Sequence, residues 1–115
     1  MFPLLALALA FSPIQQATPN ALPGEEAVDP YTADPANAGA RSFAGDAMAK
    51  AFGGRDGIAR IVDRFVAANY ADLVIGEIFE GQDRVRLTRT LNEQFCQILN
   101  AGCTYTGRDM KSSMS

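Results

Sequence analysis

Along two stretches of the chain, apolar side chains recur at steps of three and four, the spacing that puts them on one face of a helix. In the first, Ile58, Ile61, Val62, Phe65 and Val66 share a face, with Arg60, Asp63 and Arg64 opposite. The pattern predicts a helix running to about Ala71. Asp56 is its expected cap, because a carboxylate there can accept a hydrogen bond from a free first-turn amide. In the second stretch, Leu87, Leu91, Phe95, Ile98 and Leu99 form the apolar face. Gly81 and Asp83 open this helix, and Asn100-Ala101-Gly102 closes it. Between the two, residues 72–80 read as a turn anchored by Leu73, Val74, Ile78 and Phe79. Upstream, residues 44–52 predict a short helix stopped by Gly53-Gly54.

No such period exists before residue 44. Every proline lies N-terminal to residue 36, and residues 22–43 mix Pro, Gly, Ala, Asn and Asp. That composition predicts a disordered linker. Residues 1–21 begin with an apolar run from Met1 to Ile14, followed by Gln15 and Gln16, with small residues at Ala17 and Ala21. The run has the length of a signal-peptide core, so the expected location is periplasmic or secreted, although no Lys or Arg precedes Arg41. No alternation of Val, Ile and Thr suggests a sheet. The expected class is all-α, with its domain in residues 44–115.

Two helices with one apolar face each cover one another only partly. Something else must lie across them, or the chain self-associates. The net charge of −3 is mild and the charges are mixed, which argues against a nucleic-acid surface. Nothing approaches the roughly 20 apolar residues of a membrane span. The chain has no histidine and two cysteines, so a zinc site is not expected. Ser112, Ser113 and Ser115 have no base partner for nucleophilic catalysis. Glu77, Glu80 and Asp83 fit no calcium-loop spacing and read as a solvated turn. Cys96 and Cys103 read as two small buried residues; one disulfide in an oxidising compartment is the alternative.

Several short motifs stand in a common register: Phe52-Gly53-Gly54; Ile58, Val62 and Phe65; Phe79 followed by Gly81; Leu87, Leu91 and Phe95; and Tyr105-Thr106-Gly107-Arg108-Asp109-Met110. Together, from residue 53 to 114, they resemble the truncated (2-over-2) haemoglobins of the first group. The resemblance implies an all-α, globin-like fold, incomplete at its C-terminus, that binds haem b and through it oxygen, carbon monoxide or nitric oxide. It implies a pocket lined by Val66, Phe79, Leu87, Leu91, Phe95, Tyr105 and Met110. Met114 stands where the family has its iron-binding histidine, and is the candidate axial ligand. Val66 and Leu91 stand where the family usually has a tyrosine and often a glutamine that hold bound dioxygen, so oxygen should be held weakly and enzymatic turnover is not expected. Arg84, Arg86 and Arg89 are candidates for the haem propionates, or else a solvated helix face. The alternative to a haem protein is a haem-free helical interaction module or a globin remnant.

Overall fold

The computed structural model describes residues 20–108. Among them are four α-helices and no strand: α1 (Ala47–Ala51), α2 (Gly54–Ala71), α3 (Gly76–Phe79) and α4 (Arg84–Ile98). The Met1–Ile14 run, Met110 and Met114 lie outside the described residues.

The expected helices are present, with differences at their ends that have local causes. Asp56 does not cap α2. Its carboxylate lies in the first turn, where negative charge suits the helix dipole, and the helix instead begins after Gly53 at φ +87°. Glycine alone adopts that left-handed turn without strain. Asp72 ends α2 in an extended conformation, and its Oδ1 accepts hydrogen bonds from the Val74 and Ile75 amides at 2.7 and 3.0 Å. Those two amides hold the Asp72 carboxyl below its ordinary pKa. The turn tightens into α3. Asp83 caps α4 as expected, accepting from the Val85 and Arg86 amides. Beyond α4, Asn100 takes a positive φ of 62°, the left-handed ending expected of Asn or Gly.

The core lies where α2 meets α4 and the residues just after it. Ile58, Val62 and Val66 come from α2 at steps of four; Leu99 joins them, with Met48, Tyr70, Leu91 and Ala101 packed around. The apolar stripe on α2 is wider than the partner it finds, so Ile61 and Phe65, expected inside, are exposed.

On α4 the expected picture is overturned. Its buried residues are Arg89, Glu93 and Cys96, whereas Phe95 is exposed. The cause is the segment read as a linker. Residues 22–43 lie along α4 as a strap, held by hydrogen bonds from side chain to backbone. Asn37 Nδ2 donates to the Gln94 carbonyl at 3.2 Å, Gln97 Nε2 to the Pro35 carbonyl at 2.8 Å, and Ser42 Oγ to the Gln97 carbonyl at 2.6 Å. The Phe43 amide donates to the Ile98 carbonyl at 2.9 Å. A strap bonded this way has no apolar period to announce it.

Cys96 and Cys103 are bonded, with Cα atoms 5.4 Å apart, which corrects the reading of two separate buried thiols. The bridge ties the end of α4 to the chain that carries Tyr105. Closing so short a loop stabilises by about 2 kcal/mol on loop-entropy grounds. Urea unfolding with and without reductant should show a loss of that order; an unchanged midpoint would count against a structural role.

Candidate functional site

Three pieces of backbone converge beside the first half of α4: the strap at Val28 and Tyr31, the cap and early turns of α4, and residues 105–108. They line an open-mouthed cavity of about 290 Å³, apolar at Val28, Leu87 and the rings of Tyr31 and Tyr105, polar at Gln82 and Thr90, and charged at Asp83, Arg86 and Arg108.

Beneath it lies a buried charge network that the sequence did not reveal. Arg89, with its side chain 4% exposed, donates through Nε and Nη2 to both carboxylate oxygens of Glu25, itself 2% exposed. Arg89 Nη1 donates to Glu93 Oε2 at 3.2 Å and to Thr106 Oγ1 at 2.8 Å. Thr106 in turn donates its hydroxyl and its amide to Glu93 Oε1, each at 2.8 Å. One guanidinium thus joins the strap, α4 and the C-terminal segment. Arg86 adds a second cation, 3.4 Å from Asp83 and 3.6 Å from Glu25, and donates to the Glu26 carbonyl. The Glu26 amide closes the circuit on Asp83 Oδ2.

Burial by itself would raise the Glu25 carboxyl. The hydrogen bonds from Arg89 and the Leu22 amide, with the charges of Arg89 and Arg86, more than reverse this, and its pKa lies below the ordinary value. Asp83 is lowered too: burial opposes, but the Glu26 and Arg86 amides, the Arg86 charge and the Val85 amide win. Burial works to lower the Arg89 pKa, but Glu25 and Glu93 raise it, so it stays charged throughout.

The sign of the pH dependence follows. Unfolding returns Glu25 and Asp83 to higher pKa values, so the unfolded chain binds more protons as the solution is acidified. The stability these groups contribute is complete at neutral pH. It is lost as pH falls below about 4.5, the ordinary glutamate value, and through the lower folded values. Denaturation midpoints between pH 7 and pH 3 should fall in that window, and a Glu25→Gln variant should show a shallower fall. Equal slopes would show that Glu25 is not one of the responsible groups.

Of the seven residues expected to line one pocket, Met110 lies outside the described residues and the other six are divided among several places. Leu87 and Tyr105 share the cavity. Val66 and Leu91 meet instead in the core between α2 and α4, because α4 turns that face toward α2. Phe79 packs on Tyr70 with ring centroids 5.5 Å apart, and Phe95 faces solvent. Of the three arginines offered for propionates, Arg86 and Arg89 are held by carboxylates, and Arg84 lies 4.8 Å from the Tyr70 ring centroid. Glu25 was missed because it belongs to the strap, where it is one of four acidic residues, with Glu26, Asp29 and Asp34, and nothing local sets it apart.

Among the described residues no cluster of His, Cys, Asp or Glu has the make-up of a metal site, and no helix is long and apolar enough to cross a membrane. Comparison with protein-family models, with curated proteins and with solved structures finds no match.

Proposed function

We propose that this chain is a relative of the truncated globins that binds haem, and through it a small gas such as oxygen, chiefly by apolar contact. The observation that carries this reading is that Leu87 and Tyr105, two residues which the resemblance assigns to the haem pocket, meet across one cavity. The all-helical architecture and the tight turn at Gly53 agree with it.

Of the six described residues that the resemblance assigns to the haem pocket only Leu87 and Tyr105 share the cavity, and no described residue offers iron an imidazole or a free thiol. The chain has no histidine, and both cysteines are spent in the bridge. Met114 remains the candidate axial ligand on the resemblance alone. A cavity of about 290 Å³ lies at the small end of ligand pockets, about 300–1,000 Å³. A macrocycle therefore enters only if the strap residues Val28 and Tyr31 move aside. The test is a hemin titration of the full chain beside its Met114→His variant, read in the Soret band. The reading predicts saturation in both and at least tenfold tighter binding in the variant, since imidazole is the better iron ligand. No gain in the variant would remove Met114 from the iron site.

A second reading, a haem-free interaction module, is favoured by the apolar residues turned to solvent. Leu73 is 98% exposed, Val74 84%, Ile78 68% and Phe65 53%. Such a surface favours self-association. It predicts a concentration-dependent sedimentation coefficient unaffected by hemin.

A further inference from the structure

The cavity beside α4 has a chemistry of its own that does not depend on haem. Its apolar wall is Val28, Leu87 and the rings of Tyr31 and Tyr105. Its volume equals about ten liquid waters at roughly 30 Å³ each, room for a single ring bearing one small group.

The charges on its wall are not equivalent. Asp83 is fully engaged: it accepts from the Glu26, Val85 and Arg86 amides and pairs with the Arg86 side chain. Arg86 is paired with Asp83 at 3.4 Å and with Glu25 at 3.6 Å, and its buried Nε makes no hydrogen bond. Arg108 differs. No carboxylate among the described residues pairs with it; its guanidinium lies 5.2 Å from the Tyr31 ring centroid, an arrangement that leaves its forked donors for another partner. Its own backbone carbonyl accepts from the Tyr105 hydroxyl at 2.7 Å, which fixes the turn that presents it.

We infer that this cavity binds a small ring carboxylate, with the carboxylate on Arg108 and the ring against Leu87, Val28 and Tyr105. A forked guanidinium suits a carboxylate bidentately, and the apolar side chains beside it give the ring a surface to pack against. Two of the lining residues come from the strap, so a bound ligand also holds the strap closed.

The probe is benzoate, with benzyl alcohol as its uncharged counterpart, titrated into the full chain and followed by amide chemical shifts. Benzoate should shift Tyr31, Leu87 and Arg108 saturably and bind about tenfold or more tighter than benzyl alcohol. Arg108→Gln, its helix content checked by circular dichroism, should remove that preference, so that benzoate and benzyl alcohol bind it alike. Absence of a saturable shift overturns the inference, and so does equal affinity for the two probes in the unmodified chain. A chain that takes benzoate but not hemin keeps this inference and loses the haem reading; the reverse result separates them the other way.

Discussion

Replacing Arg89 with methionine should lower the stability of the folded chain by about 3 kcal/mol, the scale for removing one partner from a buried ion pair. Methionine keeps an unbranched side chain and removes the charge, so packing changes little. What remains is Glu93, a buried carboxylate with its cation gone, Glu25 with only the Arg86 cation at 3.6 Å, and a Thr106 hydroxyl that has lost a donor. The strap should loosen first around Glu25, leaving Glu26 as its remaining link to Asp83 and Arg86. A second substitution makes the claim specific. Arg89→Met combined with Glu25→Leu removes the cation and one of its two carboxylates, leaving Glu93 held by Thr106 alone; exchanging a buried pair for apolar residues is often close to neutral. The double variant should therefore recover the part of the loss that belongs to Glu25, a non-additivity expected only of groups in contact. Urea unfolding of the three variants measures this. A loss under 1 kcal/mol in the single variant would show that the network is solvated in solution.

Gly57→Ala should cost about 2–3 kcal/mol, in the opposite direction to helix propensity. In an ordinary helix interior alanine is better than glycine by about 1 kcal/mol. Here a Cβ on Gly57 would lie 2.0 Å from the Phe52 carbonyl oxygen, which is backbone and has no rotamer to give. The turn at Gly53, with the Gly57 amide donating to the Gly53 carbonyl at 3.1 Å, brings α1 and α2 that close. The alanine must push α1 away from the start of α2, an overpacking cost that exceeds the propensity gain. Thermal unfolding followed by circular dichroism distinguishes the outcomes. A stabilised variant would mean that the α1–α2 corner is looser than described.

The helices were legible because burial on one side imposes a period. Ile58, Val62 and Val66 fall four apart and all three are buried. The Asp83 cap was legible for a similar reason, since the need of the first-turn amides is local. The strap was not legible. Its bonds run from Asn37, Gln97 and Ser42 to backbone carbonyls, and any polar sequence can supply such groups. Nor was the partnership of Glu25 with Arg89, separated by 64 residues. Reading Arg89 as a propionate partner or a solvated residue followed from α4 and the resemblance alone; its burial depends on a segment with no pattern. The site was legible in part. Leu87 and Tyr105 reach the cavity, whereas Val66 and Leu91 are taken by the core, because a helix face can serve only one neighbour.

The most direct test is to titrate the full chain with hemin while following amide hydrogen exchange at residues 28–31. If the chain is a haem-binding globin relative, the Soret band saturates. Exchange at Val28 and Tyr31 then rises, because the cavity takes a macrocycle only when the strap gives way. A Soret band that broadens without saturating, with exchange at 28–31 unchanged, contradicts the proposed function.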